Sequence, residues 1–172
     1  MDTTLKTIFW HQFGAAIDML GNAMQACPDS LWDERLWNHP NERTGYSEFW
    51  YLAYHALFWL DFYLSGSMKG FAPPAPFTLS EFDPDGFPEI NYSKDELQAY
   101  FNYCRRKCQT TIEALTDEKA SQLCKFVWGE ISFIELLLYN MRHLQEHAAQ
   151  LNMILGQRNI AVKGWVTKAN KT

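Results

Sequence analysis

The amino-acid sequence predicts an all-α fold, and within that class a four-helix bundle, on three observations. Apolar residues recur every three or four positions in four separate segments, which is the spacing of one face of a helix. Two of these segments open on a Ser followed three residues later by Glu, a helix-start pattern found at Ser93 and Ser132. The segment 67–92, between the second and third helices, holds five prolines and no periodicity. With 172 residues, the chain suits a single domain covering 1–172.

The sequence also marks the ends of the predicted helices. The four helices cover residues 3–26, 47–65, 93–115 and 132–155. Pro28 ends the first helix, Ser47 is the predicted N-cap of the second, and Gly66 and Gly156 end the second and the fourth. The second helix is apolar almost all round, which indicates a central position. Between the third and fourth helices we expect a connector with one short helical turn around residues 117–123.

Charge and cysteine usage exclude several classes of protein. Twenty acidic and fifteen basic residues give a net charge of −5 without a basic run, so no nucleic-acid partner is expected. We find neither a signal segment nor an apolar run long enough for a bilayer, so no membrane partner is expected. Four cysteines without CxxC spacing indicate reduced thiols and a cytoplasmic protein. Cys104 and Cys108 stand four apart, but paired zinc cysteines usually lie on a tight turn, so no metal site is predicted there.

The most informative stretch is the predicted fourth helix, in which two histidines lie within an apolar stripe. The stripe advances by steps of four, three, four, four and three through Leu136, Asn140, His143, His147, Leu151 and Ile154. Residues at i and i+4 lie about 40° apart around a helix and one turn along it, so both imidazoles can reach one ion. Two core histidines, each hydrogen-bonded to a neighbour, are the ordinary alternative, and the spacing alone leaves both interpretations open.

A third histidine, His55, lies on an inward face of the predicted second helix, together with Phe58 and Phe62. Taken alone, such a histidine is more often a core residue than a ligand. Facing helices of a bundle commonly supply metal ligands, however, so we predict that His55, His143 and His147 bind one divalent metal ion. Three neutral imidazoles suit zinc, nickel, iron or copper, and they leave coordination positions for water or substrate.

Three polar residues near these histidines are predicted to have different roles. Asn140, one turn before His143, is expected to contact a ligand histidine or the substrate. Glu146 is not assigned as a general base, because the run HLQEH places its glutamate differently from the HExxH of zinc peptidases. Asp61 is expected on another side of the second helix, as a surface or helix-end charge. No catalytic residue is therefore assigned from the sequence.

The four predicted helices and the positions of the three histidines in them resemble those of the DinB-like, YfiT-like superfamily of metal-dependent four-helix-bundle enzymes. The resemblance lies in the histidine of helix two, the HxxxH of the last helix, and the Gln150 and Leu155-Gly156 that follow. It implies an up-down-down-up bundle with a long crossover between helices two and three. It also implies that the three histidines bind a divalent ion, often zinc or nickel, and that the protein is a homodimer. Characterised relatives include bacillithiol- or glutathione-using thiol transferases and the mycothiol-dependent maleylpyruvate isomerase.

Two classes of function follow from these patterns. The leading hypothesis is a divalent-metal-dependent enzyme, a thiol-dependent S-transferase or hydrolase, acting on a small molecule such as a low-molecular-weight thiol. The alternative is a non-catalytic dimeric helical protein, serving in stress response or ligand binding, with a structural metal or none. In the ligand-binding form an aromatic pocket would hold an apolar compound without turnover. Trp165, in the C-terminal tail, is expected to dock on its own domain or to cover a dimer partner.

Overall fold

The computed structural model describes residues 1–37, 45–83 and 86–170, and in these residues the chain is mostly helical. Its elements, in chain order, are α1 (Thr3–Ala26), α2 (Asp29–Trp32), α3 (Phe49–Ser65), α4 (Lys94–Glu113), α5 (Asp117–Ser121), β1 (Leu123–Phe126), β2 (Gly129–Ser132) and α6 (Phe133–Gln157). A single 3-10 turn, Ser80–Phe82, interrupts the proline-rich connector, and Pro84 of that connector lies outside the described residues. The helices α1, α3, α4 and α6 correspond to the four predicted helices.

Contacts among the long helices define how they are arranged around the core. Helix α1 packs on α4 and α6, and α3 packs on the same two helices. This pairing places α1 and α3 at opposite corners of the arrangement. The predicted helical fold is confirmed, and α5 forms the short helical turn that the connector was expected to hold.

The predicted capping pattern is confirmed at the third long helix. The Ser93 hydroxyl accepts a hydrogen bond from the backbone N–H of Glu96, and the Glu96 carboxylate accepts one from the backbone N–H of Ser93 at 2.8 Å. At the fourth long helix, the Ser132 hydroxyl accepts from the backbone N–H of Glu135 at 3.4 Å. Each hydroxyl satisfies a backbone donor that the first turn of a helix leaves without an intrahelical partner.

Three predicted helix ends are wrong by one or two residues, including that of the third long helix, where α4 ends at Glu113 rather than at residue 115. Helix α3 begins at Phe49, and Ser47 is not its N-cap. The reason is an extended pairing just before the helix, in which the Ser47 carbonyl accepts from the backbone N–H of Leu36 at 2.7 Å. At the other end of the chain, α6 continues through Gly156 to Gln157. Gly66, by contrast, ends α3 in the left-handed conformation, at φ 70°, as expected.

The central position predicted for α3 is confirmed. Every residue from Phe49 to Leu64 is buried except His55 and Trp59, which are half-buried. These two residues are four positions apart and therefore lie on one face of the helix, one turn from each other. That face is the part of α3 that is not covered by the rest of the bundle, so the inward face predicted for His55 is wrong.

The β1–β2 hairpin departs from the all-α prediction. It is antiparallel, pairing Leu123 with Ser132 and Phe126 with Gly129. Its strands have only four residues each, too few for an alternating pattern to stand out in sequence. The hairpin tip carries Trp128, whose ring stacks on Phe126 at 5.1 Å between centroids. It also stacks on Tyr139 of α6 at 5.2 Å, so the hairpin is fixed against that helix.

The C-terminal tail docks on α1, but not through its tryptophan. The backbone N–H of Ala169 donates to the carbonyl of His11 at 2.9 Å, and Ala169 is buried. Gly14 allows this close approach, because a Cβ at its position would lie 2.5 Å from the Ala169 Cβ. Trp165 is 72% exposed, so the expectation that it packs on its own domain is wrong. Its role against a partner subunit stays a prediction.

Candidate metal centre

The structure brings the three predicted histidines together in one group. The Nε2 atoms of His143 and His147 lie 3.1 Å apart. The His55 ring reaches them from α3, with its centroid 5.3 Å from that of His143 and 4.9 Å from that of His147. One ligand atom from each ring lies within 4.8 Å of the other two. In the described part of the chain this is the group of ligand-type side chains that is compact enough for a metal ion.

The group lies at the edge of the core rather than in its centre. The buried line along α6 passes through Leu144 and Ala148, which places His143 and His147 to one side of it, half-buried. His55 is on the uncovered face of α3 and its side chain is 27% exposed. Ligands fixed by two packed helices but open on one side leave room for an exchangeable water or substrate.

Glu81 is the functional-site residue that sequence reasoning missed. It lies in the 3-10 turn of the proline-rich connector, and its side chain is only 4% exposed. Its Oε2 accepts from Nδ1 of His55 at 2.7 Å and from Nε1 of Trp59 at 2.8 Å, and its Oε1 accepts from the Tyr51 hydroxyl at 2.6 Å. The three donors are spaced four residues apart along one stripe of α3, so a single carboxylate anchors the connector over that stripe.

The Glu81 contact fixes how His55 presents its second nitrogen. Because Oε2 is an acceptor, Nδ1 of His55 carries the proton and the Nε2 lone pair is free to bind an ion. Burial alone would raise the pKa of Glu81. The hydrogen bond and charge of His55, with the bonds from Tyr51 and Trp59, outweigh burial and lower that pKa. Glu81 therefore stays a carboxylate, the form that orients a ligand histidine.

The other two rings, those of His143 and His147, also leave Nε2 as the nitrogen available to an ion. Nδ1 of His147 lies 2.8 Å from the side-chain oxygen of Gln150, an acceptor, so His147 also presents an Nε2 lone pair. Nδ1 of His143 is buried and has no hydrogen-bond partner within the described ranges, which leaves Nε2 as the atom available to an ion. Gln150 stands three residues after His147 in sequence, so this contact could have been proposed from helix spacing.

The spacing of the His143 and His147 nitrogens fits a shared metal ion. With zinc–nitrogen bonds of about 2.0–2.1 Å, two ligands separated by an octahedral to tetrahedral angle lie about 2.8–3.4 Å apart. The 3.1 Å between Nε2 of His143 and Nε2 of His147 falls within that interval. Three neutral imidazoles are also a donor set that borderline metals such as zinc and nickel favour.

Comparison with known proteins gives the same family that the sequence resembles. A model of the DinB superfamily matches residues 12–151. The chain belongs to the DinB superfamily. Among solved structures, it is similar to the DinB-like protein YjoA of Bacillus subtilis, with a TM-score of 0.58 and 12% identity over 90% of this chain and 95% of that one. No curated protein matches the chain.

The likeness to YjoA, at this level of identity, concerns the fold alone. Both comparisons therefore support the assignment of the DinB fold. The chemistry of the site has to be inferred from the residues of this chain. Within the residues that the structure describes, no helix is long and apolar enough to cross a membrane.

The electrostatics of this DinB site keep two of its histidines, His143 and His147, neutral. Burial, followed by the nearby His147 and His55, lowers the pKa of His143 to about 3. Burial and His55 also lower the pKa of His147, against a smaller opposing effect of Gln150. Both rings are consequently unprotonated at neutral pH, the form in which an imidazole binds a metal.

We expect the metal-free protein to lose stability as the pH falls from about 6.5 toward 3. A histidine in the unfolded chain has a pKa of about 6.5, so within this window the unfolded state binds a proton that folded His143 does not. The free energy of unfolding in urea, measured with a chelator present, should fall more steeply for the wild type than for His143→Gln. Parallel curves for the two proteins would contradict this expectation.

Of the remaining polar residues, Asp61 lies in a different environment from the one expected. Asp61 is fully buried rather than a surface charge, because Lys107 and Tyr100 of α4 reach its carboxylate at 2.5 and 3.0 Å. Asn140 is buried and donates to the Leu60 carbonyl at 3.0 Å, which ties α6 to α3. Its predicted contact with substrate or a ligand histidine stays a prediction. Glu146 is exposed on α6.

The cysteine pair of α4 is structural. Cys104 and Cys108 are both fully buried, and burial raises the pKa of both thiols above the ordinary value. The Cys104 thiol faces the carbonyl of Leu57 on α3 at 3.6 Å. Neither cysteine belongs to the compact ligand group found among the described residues.

Proposed function

We propose that this DinB-superfamily protein is a divalent-metal-dependent enzyme, a thiol-dependent S-transferase or a hydrolase. His55, His143 and His147 would hold the ion, which we propose to be zinc or nickel, with iron as a further candidate. The observation that carries the proposal is the convergence of one ring nitrogen from each of three histidines, two of which have an acceptor on Nδ1. A bound divalent ion lowers the pKa of a coordinated water or thiol to near neutrality.

The chain's own residues prepare the site for such a reaction. Glu81 and Gln150 hold the rings of His55 and His147 by their Nδ1 atoms, so neither ring has to reorient before ligation. Glu81 also ties the connector to α3, so its carboxylate stays in place over Tyr51, His55 and Trp59. A three-histidine set supplies fewer ligands than a closed structural zinc site, and this favours catalysis over a purely structural ion.

The substrate class and the assembly state follow as parts of the same proposal. We propose a small-molecule substrate, with a low-molecular-weight thiol as co-substrate of the transferase, and we propose that the protein acts in the cytoplasm.

We also propose the up-down-down-up order of the four long helices, which the long connector 66–93 between α3 and α4 supports. A homodimer is proposed as well, supported by the exposed apolar side chains of Leu5, Ile8 and Trp165.

Metal content is the first test of this function. Protein purified without a His-tag and reloaded with zinc or nickel is expected to hold one ion per chain, measured by elemental analysis after gel filtration. His143→Ala is expected to lose most of that ion, because it removes one of three ligands. His11→Ala, on α1 outside the group, is the matched control and should keep it. A wild type without stoichiometric metal, or an unchanged His143→Ala, would contradict the proposal.

The reaction type is tested on the metal-loaded protein. Activity against electrophilic substrates is compared in the presence and absence of bacillithiol, glutathione or a simple thiol. Thiol-dependent turnover that His143→Ala abolishes supports the transferase, and turnover with water alone supports the hydrolase. Absence of both activities in a protein that holds its metal would favour the non-catalytic alternative.

A further inference from the structure

An apolar pocket lies beside the metal centre, on the side of His55 that Glu81 occupies. Its volume is about 150 Å³. It opens between α3, the 3-10 turn of the connector and the hairpin tip. The lining residues are Trp59, Phe62, Met68, Glu81, Phe82, Phe126, Val127 and Trp128. Trp59 and Glu81 belong both to this lining and to the hydrogen bonds that orient His55, so pocket and metal centre share a wall.

Aromatic rings in edge and face contact make up most of this wall. Phe62 meets Phe82 at 4.8 Å and Phe126 at 5.5 Å between ring centroids, both edge to face. Phe126 in turn stacks on Trp128 at 5.1 Å. Rings held against one another in this way keep the pocket shape fixed, and they offer faces and edges to a further ring.

The charges around the pocket select against an ionic ligand. Glu81 is the one ionisable side chain in its lining, and three donors from α3 already take most of the acceptor positions of its carboxylate. The one position left on Oε1 cannot replace the water shell of an ammonium group, so burying a cationic ligand in this apolar pocket costs free energy. An anionic ligand would find no basic side chain in the lining and would lie close to the Glu81 charge.

The opening of the pocket is apolar and exposed to solvent. Met68 and Trp128 are each 49% exposed, and Val127 at the hairpin tip is 98% exposed. A contiguous apolar rim of this kind on a protein surface usually marks a binding site. An apolar cavity of comparable volume, about 150 Å³, binds benzene in another protein, so the size corresponds to a single ring.

We propose that this pocket binds a neutral molecule carrying one aromatic ring. The inference goes beyond the proposed metal chemistry, because the ring would contact Trp59 and Glu81 rather than the ion. The ring can belong to a free ligand or to the aryl group of a substrate held at the metal centre. A free ligand binds the metal-free protein, whereas the aryl group of a coordinated substrate requires the metal.

The test uses three ligands that differ in charge at neutral pH, namely benzyl alcohol, benzoate and benzylamine. Binding to the full chain is measured by NMR titration, with and without zinc. Benzyl alcohol is expected to bind with nuclear Overhauser contacts to Trp128 and the Met68 methyl group, and the charged ligands at least tenfold more weakly. Benzyl mercaptan serves as the zinc-dependent arm, because its thiol can coordinate the ion while its ring occupies the pocket.

Two exposed tryptophans provide a matched pair of variants. Trp128→Ala removes one wall of the pocket and should weaken benzyl alcohol binding at least tenfold. Trp165→Ala removes an equally large side chain from the tail and should leave benzyl alcohol binding unchanged. Met68→Ala is the second pocket variant, in case loss of Trp128 disturbs the hairpin.

Three outcomes would overturn the proposal. They are absence of benzyl alcohol contacts in the pocket at millimolar concentration, equal binding of the charged ligands, and a wild-type dimer that Trp128→Ala converts to a monomer. The last result would show that a second copy of the chain covers this face. None of these measurements depends on turnover. The proposal of ring binding can therefore fail while the metal proposal stands, and the metal proposal can fail while that of ring binding stands.

Discussion

Replacing Glu81 by Gln is expected to weaken zinc binding by about ten- to hundredfold, with little change in helix content. Glutamine can place its oxygen where Oε2 accepts from His55 and Trp59, with its NH₂ group against the Tyr51 hydroxyl, but it carries no charge. The bond to Nδ1 of His55 then changes from a charge-assisted hydrogen bond to a weaker neutral one. The His55 ring would be held less firmly and its Nε2 would be a less basic ligand, because the carboxylate charge no longer supports it.

Competition with a chromophoric chelator measures this change directly, because it reports zinc affinity without requiring a known substrate. The matched control is Glu89→Gln, which makes the same substitution at an exposed position of the same connector. Wild-type affinity in Glu89→Gln with a clear loss in Glu81→Gln would assign the effect to the contact with His55. Equal affinity of Glu81→Gln and the wild type would show that the connector carboxylate has no part in holding the ion.

The origin of the Glu81 contact explains why part of the site could be predicted and part could not. His143 and His147 lie on one helix, where the spacing of four fixes their relation before any tertiary structure is known. His55 could be added because facing helices of a bundle commonly supply metal ligands, although its helix is apolar almost all round and the sequence did not indicate which face the bundle leaves uncovered. Glu81 lies in an aperiodic connector, and its position depends on the path of the whole segment over α3. No local pattern encodes such a path, so the residue that orients His55 emerged only from the structure.

A similar division applies to the fold. Caps at Ser93 and Ser132 are local hydrogen bonds and were predictable from residues three apart. The start of α3 was not predictable in this way. It depends on a backbone hydrogen bond between Ser47 and Leu36, which lies outside the helix and earlier in the chain. Asp61 illustrates the same limit for a charge. The position of Asp61 in its helix indicated only that the side chain points away from His55. Whether that side of the helix faces solvent or another helix depends on where α4 packs.

Replacing Asp61 by Ala is expected to destabilise the protein by about 3 kcal/mol or more. The carboxylate is fully buried and joins α3 to α4 by accepting from Lys107 at 2.5 Å and from the Tyr100 hydroxyl at 3.0 Å. Removing it leaves a charged ammonium and a buried hydroxyl without this partner. Lys107 keeps its bonds to the Asp61 carbonyl and to Ser65, and its side chain is 24% exposed, so we expect the lower part of the usual range.

Urea unfolding of the metal-free protein gives the free energy, and the hairpin supplies a matched control. Lys125 and Glu130 form an ion pair at 2.7 Å in which both side chains are more than half exposed. Glu130→Ala should therefore cost no more than about 1 kcal/mol. The double variant Asp61→Leu with Lys107→Met should recover much of the lost stability, because it removes both charges and keeps the volume filled. If Asp61→Ala cost as little as Glu130→Ala, the buried pair would not be what holds α4 against α3.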